Sequence, residues 1–400
     1  MTGASGPLAG IRVLDAATLA AGPLIATWLG EFGAEVIKVE QPDGGDPLRQ
    51  WGAQRDGIGL MWKSLGRNKK SVTLNLREPA GRDLLRELAT RCDVLVMNLR
   101  PATLARWGLA YDQLKVDNPG LVMVHVTGFG AGGPKSDRPG FGTLGEAMSG
   151  FAHLTGHPDG PPTLPSFMLA DGVAALTASY AVLMALYHRD VHGGPGQLID
   201  INLIEPLARL IEQPVLTYDQ LGTVPGRTGN RWDISAPRNT YRTKDDKWLA
   251  MSGSAPTIAM RALRAVGRAD LTTDPRFAEA QQRLRNAAEI DAVMAGWIAD
   301  HTLDEAMAVF EEAEVAAAPV YDAAQLLADP QLAARNVYPA YPDPDFGQMR
   351  VQAPVPRLSE TPGEVRHLGP ALGEHTEAVY RGLLGLDDQR LAELRATGVI

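Results

Sequence analysis

Apolar and polar positions along the first two hundred residues alternate between the period of a strand and that of a helix. IRVLD (11–15) is a short β-branched run, and Gly22-Pro23 then opens LIATWLGEFG, an amphipathic helix closed by Gly33. AEVIKVE (34–40) and SVTLNL (71–76) read as strands, followed by the helix EPAGRDLLRELATRC and the strand DVLVMNL (93–99). LVMVHVTGFG (121–130) runs from a strand into a glycine loop. This alternation predicts an α/β fold, a doubly wound and mostly parallel sheet with helices on both faces.

Residues 169–190 predict one long helix buried on most sides, preceding QLIDINLIE, another strand or helix start. The apolar run inside that helix, 173–187, is shorter than the ~20 residues that cross a bilayer, so no membrane partner is expected. The segment 224–242 is polar and reads as a linker. KWLAMSG then suggests a strand, and 258–310 carries Ala, Leu and Arg at helical spacing, a smaller helix-dominated unit. A proline-punctuated return over 339–362 leads to a last helix at 387–397. The expected organisation is a large domain over 1–210, a small one over 225–325, and a segment 330–400 that returns to the first.

Composition narrows the class. With 45% hydrophobic and 21% charged residues, the 400-residue chain is an ordinary globular protein. A net charge of −9 argues against a general nucleic-acid binder. The N-terminus lacks a basic segment before an apolar one, so no leader is expected. Cys92 is the single cysteine, which rules out an internal disulfide and fits a cytoplasmic, reducing location.

Several chemistries are excluded by spacing. The first strand–turn–helix, with Glu40 where a ribose-binding acid would sit, imitates a dinucleotide site, but ATLAAGP has one glycine instead of G-x-G-x-x-G. No Walker loop and no G-x-S-x-G elbow occurs. His153 and His157, and His188 and His192, are four apart, but Gly and Pro interrupt or follow both pairs, so no metal site is expected. Three features remain. Cations gather near strand ends: Arg67, Lys69 and Lys70, then Arg100 and Arg106, then Lys135 and Arg138. Ligands of such a sheet bind outside the carboxyl ends of its strands, so Arg100 and Lys135, which follow strand ends, are placed to meet an anionic ligand. Arg67 to Lys70 precede a strand and need not lie on that side. The turn GFGAGGP (128–134) offers backbone N–H groups to an oxyanion. Asp171, before a long apolar helix, reads as an N-cap worth ~0.5–2 kcal/mol, stabilised as a carboxylate and competent as a nucleophile.

Those residues, with PLAGIRVLDAATLAAGPLIATWLGEFGAEVIKVEQPDGGDPLR, GRNKKSVTLNLREPAGRDLLREL, ADGVAAL, GGPGQLIDINLIE, DPQLAARN and LGEHTEAV, carry a resemblance over nearly the whole chain. The chain resembles the class III CoA-transferases, the family of formyl-CoA transferase, the carnitine CoA-transferases and α-methylacyl-CoA racemase. The resemblance implies a large doubly wound domain with a smaller inserted domain, in an interlaced homodimer. It implies coenzyme A, as acyl-CoA substrate, lying against Thr18, Leu19, Ala20, Ala21, Gln41, Asn68, Lys69, Lys70, Asn98, Leu99, Arg100, Arg106, Arg138 and Phe141. It implies Asp171 as the nucleophile that passes CoA from an acyl-CoA donor to a carboxylic acid acceptor through an aspartyl–acyl anhydride and an aspartyl–CoA thioester.

Departures from the family divide its members. The racemase branch uses a histidine followed by an acid where this chain has Phe141-Gly142, which removes the second base. Formyl-CoA transferase has glutamine, arginine and tyrosine at Ala20, Gln41 and Phe141, and a mobile glycine loop near the small domain that is not evident here. The expected activity is CoA transfer; an acyl-CoA racemase or isomerase and a non-catalytic acyl-CoA binding protein are the alternatives. Arg227, Arg231, Trp232 and Arg238 in the linker are candidates for an acceptor carboxylate, and Glu146 for a neighbour of Asp171.

Overall fold

The computed structural model describes residues 6–400, so part of the N-terminal segment read above lies outside the described residues. The chain divides into two compact units. The first comprises residues up to Phe151, Leu164–Leu216 and Asn336–Ile400; the second comprises Ala152–Thr163 and Thr217–Arg335.

The first unit is built on six parallel strands: β1 (Arg12–Asp15), β2 (Glu35–Glu40), β3 (Lys69–Thr73), β4 (Val94–Met97), β5 (Val122–Thr127) and β6 (Leu198–Asn202). Their order is β3-β2-β1-β4-β5-β6, so the sheet reverses direction between β1 and β4. Val13 sits level with both Val36 and Val94, and Val94 with Val122. Because the side-chain period is two, Val13, Val36 and Val94 feed one core and Leu14, Ile37 and Leu95 the other. Helices α1 (Ala21–Glu31) and α5 (Leu169–His192) cover the first face. On the second face lie α2 (Pro79–Ala89) and the C-terminal helices Thr376–Leu384 and Asp388–Ala396. Short helices α3 (Pro101–Trp107) and α4 (Gly142–Met148) follow the loops after β4 and β5.

Three expectations need correction. The strand expected at 71–76 is Lys69–Thr73, because its ladder begins at Val36↔Lys69 and ends at Glu40↔Thr73. A lysine starts it despite its charge because Lys69 is buried in an ion pair. Helix α5 is 24 residues long, enough by length and composition to span a bilayer, although the apolar run alone is shorter. It is not buried on most sides: the stripe Ala170, Ala174, Ala178, Val182 and Ala185 packs on the sheet, whereas Leu176, Tyr180, Leu183, Met184, Tyr187 and Val191 are exposed. Small side chains every fourth position let α5 lie close against the sheet, and the opposite stripe is left exposed among the described residues.

In the second unit, β7 (Arg238–Arg242), β8 (Trp248–Ser252) and β9 (Ala317–Pro319) form an antiparallel sheet in the order β9-β8-β7. Part of the expected linker is therefore a strand, whose inward Tyr241 pairs with Leu249 and bonds Asp291. Helices α6 (Pro256–Ala265), α7 (Ala287–Ala299) and α8 (Leu303–Glu312) bury Leu263, Met294, Ile298 and Phe310 behind this sheet.

Candidate active site

Ligands of doubly wound sheets bind where the strand order reverses, outside the carboxyl ends of the strands. Here that crevice lies after β1 and β4, and two loops meet there. Thr18 N–H donates to Asn98 Oδ1 at 3.1 Å, and Asn98 Nδ2 donates back to the Thr18 carbonyl at 2.9 Å. Leu19 holds a left-handed backbone, φ 68°, a conformation costly for a branched side chain. Its N–H is pinned by Asp46 Oδ1 at 3.0 Å. The turn delivers Ala20 and Ala21 to the start of α1.

Beneath this turn lies a buried cluster of charge. Lys38 Nζ is 2.8 Å from Asp46 Oδ2 and also reaches Asp15 and the Ala17 carbonyl. Lys69 Nζ lies 2.9 Å from Asp15 Oδ2 and donates to the Pro23 carbonyl at 2.7 Å. Glu40 accepts Arg49 through both oxygens at 2.7 and 2.8 Å, plus Ser71 Oγ at 2.6 Å. Three acids thus face three bases. Burial pushes the Asp46 carboxyl up, but Lys38 and the N–H groups of Leu48 and Leu19 outweigh it and hold it below the usual range. Burial works against charged Lys38 too, yet Asp15, Asp46 and Glu40 raise its pKa.

Asp171 is not an N-cap. Met168 holds that position without a side-chain bond, and Asp171 is the third residue of α5. Half-buried, it meets the starts of α1 and α4. Gly142 at the start of α4 comes so near that a Cβ there would stand 2.3 Å from Asp171 Oδ2, so a larger residue would require the Asp171 carboxylate to move. One turn further along α4, buried Glu146 accepts the Ala170 N–H at 3.3 Å. Asp171 is therefore not stabilised as an anion in the way a helix terminus alone suggests. Burial, then the Glu146 charge, push its pKa from 3.8 to about 6, against the Ala21 N–H and its own.

The remaining candidates separate into two groups. Asn98, Leu99 and Arg100 follow β4; Arg100 precedes α3, and Arg106 lies on it. The glycine loop after β5 docks beside them, Asp137 Oδ1 accepting the Ala102 N–H at 3.1 Å. Lys135 and Arg138 are exposed on that loop, and Phe141, also exposed, ends it at α4. Arg100, Arg106, Lys135 and Arg138 form no ion pair among the described residues. Two of the loop's N–H groups are not open to a ligand: Gly130 donates to Thr127 Oγ1 at 2.8 Å and Ala131 to the Asp200 carboxylate at 3.1 Å. Gln41, after β2, donates to Asn75 Oδ1 at 3.0 Å.

Asn68, Lys69 and Lys70 are not brought to this edge. Asn68 is buried against the C-terminal return, donating to the Glu364 carbonyl and accepting Arg366 N–H, both at 2.7 Å. Lys69 is consumed by Asp15, and Lys70 turns towards Glu35 at 2.5 Å, at the start of β2. The residues that do leave β3 at the carboxyl edge are Asn75, Leu76 and Arg77, which the sequence reading missed. Their available signal was the polar Asn75 ending an apolar run. In the second unit, Arg231 is paired with Asp291 at 2.6 Å, Arg227 bonds the His153 carbonyl, and Arg238 lines a cavity of about 550 Å³ without an acidic partner among the described residues. Among the described residues no three His, Cys, Asp or Glu side chains group as a metal site.

Comparison with known proteins agrees with this geometry. The model of CoA-transferase family III matches residues 8–376. The succinyl-CoA–D-citramalate CoA-transferase of Chloroflexus aurantiacus is 43% identical over 395 residues, 98% of both chains. The succinyl-CoA–L-malate CoA-transferase beta subunit of the same organism is 42% identical over 398 residues, again 98% of each. Among solved structures, a CaiB/BaiF family protein from Brucella suis superposes with a TM-score of 0.83 at 30% identity, over 95% of this chain and 100% of that one. With nearly its whole length matched by the family model and by relatives over 40% identical, the chain belongs to CoA-transferase family III and is a CoA-transferase.

Proposed function

We propose that this enzyme moves CoA between carboxylic acids through covalent intermediates on Asp171. The ionised carboxylate attacks the thioester carbonyl of the donor; the C–S bond breaks, giving an aspartyl–acyl anhydride and CoA thiolate. The thiolate attacks the aspartyl carbonyl, freeing the donor acid and leaving an aspartyl–CoA thioester. The acceptor carboxylate attacks that thioester and releases the thiolate again. Attack of the thiolate on the acceptor's acyl carbonyl then yields the new acyl-CoA and restores Asp171. No proton need move in any of these steps.

One observation carries the reading: a half-buried carboxylate wedged against Gly142 at the switch-point crevice, with a pKa of about 6. It is ionised at neutral pH and only weakly stabilised, a suitable state for a nucleophile. The exposed cations Arg77, Arg100, Arg106, Lys135 and Arg138 would draw the CoA phosphates to the same edge, past Thr18–Ala21, Gln41, Asn98 and Phe141. Incubation with a panel of acyl-CoAs, followed by peptide mass spectrometry, tests the mechanism. An adduct on the Asp171 peptide that vanishes in Asp171→Ala is expected. No adduct with any donor, despite measured CoA binding, would point to the racemase or the silent binder. Phe141-Gly142 in place of the histidine and the acid after it speaks against the racemase, and Cα exchange in D2O without acceptor would reveal it.

The relatives' names favour succinyl-CoA as donor and a short dicarboxylate as acceptor. Arg238, free of an acidic partner among the described residues, is the proposed clamp for the distal carboxylate. Equal losses with mono- and dicarboxylate acceptors in Arg238→Ala would remove that role. We further propose an interlaced homodimer with the second unit as an inserted domain, in a cytoplasmic location. The exposed stripe of α5 borders a cleft of about 690 Å³ lined by Trp28, Phe32, Leu176, Tyr180, Leu183 and Val355, an apolar surface that a second copy would cover. Relatives named as alpha and beta subunits make a mixed assembly the competing outcome of a native-mass measurement.

A further inference from the structure

Glu146 has no part in the sequence of bond changes above, yet it is the charged side chain nearest in the fold to the start of α5. It is 3% exposed, forms no ion pair among the described residues, and its one side-chain bond is to Ala170 N–H, the residue before Asp171. Gly142, one turn earlier on the same short helix, is the residue that Asp171 Oδ2 presses against. Both carboxylates are thus fixed by α4 and the first turn of α5. The other groups facing Asp171 are uncharged. Helix α1 carries no ionisable side chain from Ala21 to Trp28, α4 carries only Glu146, and α5 carries, besides Asp171, only Tyr180 and Tyr187 before His188, each at least two turns away.

We propose that Glu146 is a positioning residue that drives acylation of Asp171: it orients the start of α5 and repels the Asp171 anion in the free enzyme. That repulsion is released when the Asp171 oxygen becomes part of a neutral anhydride or thioester. The inference rests on the covalent reading above. In the first step the Asp171 oxygen forms a bond to the acyl carbon while the C–S bond breaks. The negative charge therefore leaves the side chain that faces Glu146 and departs with the CoA sulfur. The relief persists while Asp171 is held as anhydride, thioester and second anhydride, and is lost when the last step restores the free carboxylate. Protonation neutralises Asp171 just as acylation does, so the raised pKa of Asp171, due first to burial and then to the Glu146 charge, reflects this repulsion in part.

Glu146→Gln separates this from a structural role, because the amide oxygen still accepts the Ala170 N–H while the charge is gone. Two quantities are read on wild type and variant: the Asp171 titration midpoint by isotope-edited infrared spectroscopy, and the ratio of Asp171 adduct to free enzyme at fixed succinyl-CoA and CoA. The expected result is a lower midpoint and a smaller adduct ratio, both by the same factor, about tenfold for each pH unit the midpoint moves. An unchanged midpoint overturns the proposal, as does a lowered midpoint with an unchanged adduct ratio. If Glu146→Gln fails to fold, the conservative Glu146→Asp, read the same way, must keep a raised midpoint and most of the adduct; loss of both there also overturns it. Absence of any adduct in wild type defeats the covalent reading itself, and is recognised because the midpoint still shifts in the variant.

Discussion

Two groups of buried acids sit within the first unit, and they are treated in opposite ways. Under the Thr18–Ala21 turn, Asp15, Glu40 and Asp46 face Lys38, Lys69 and Arg49, so every anion has a cation within ion-pair distance. At the start of α5, Asp171 and Glu146 face each other with no cation between them. Burying charge is costly unless it is paired. The first group meets that condition and holds the strained Leu19 turn in place. The second does not, and the difference separates a paired scaffold from the proposed reaction centre.

The comparison breaks most visibly if Asp171→Asn retains activity. Transfer between acyl-CoA and acid is expected to fall by about 10³-fold or more, measured by steady-state assay, since Asp171 is the proposed nucleophile. Lys38→Met attacks the balanced group and leaves Asp15 and Asp46 short of a partner. Loss of about 3–5 kcal/mol is expected in denaturant unfolding, and a change under 1 kcal/mol would mean that the cluster is not held together by its charges.

Stability of Asp171→Asn should move the other way. A carboxyl whose pKa rises from 3.8 unfolded to about 6 folded binds its proton more tightly in the native state. Wild-type stability therefore falls as pH climbs from 3.8 to 6, and stays lowered above it. The variant escapes that loss, so it should gain on the order of 2–3 kcal/mol at pH 8 and nothing at pH 3, by thermal or denaturant melts at both. A destabilised variant at pH 8 would restore the capping role. For the same reason, formation of the Asp171 adduct should rise with pH around a midpoint near 6. The smallest effect belongs to the exposed cations: Arg100→Ala or Arg138→Ala should raise KM for acyl-CoA about tenfold with kcat nearly unchanged, and less at high salt.

Much of this organisation was legible from residue order. Alternating periods located β1, β2, β4, β5 and the helices between them, because a strand or helix with a buried face must repeat its apolar residues locally. Motif order identified the family, and with it Asp171. Local pattern does not, however, reveal which side chains will be neutralised by residues far along the chain. Lys69 and Lys70 read as a pair of surface cations; Asp15 takes one, 54 residues away, and Glu35 the other. The stretch that leaves β3 at the ligand edge is Asn75–Arg77, because strand register, set by pairing with β2, decides which end of a run faces the crevice.

The sequence by itself determined the alternating α/β layers and the family, and singled out Asp171 as the proposed nucleophile, all from short-range periodicity and ordered motifs. Only the tertiary structure decided what state that nucleophile is in. Residues 142, 146 and 171 are separated along the chain, and a helix start that favours an anion becomes one that disfavours it when burial and a second carboxylate converge there. Electrostatic free energy depends on distance and surroundings in three dimensions, and neither is a property of the local chain.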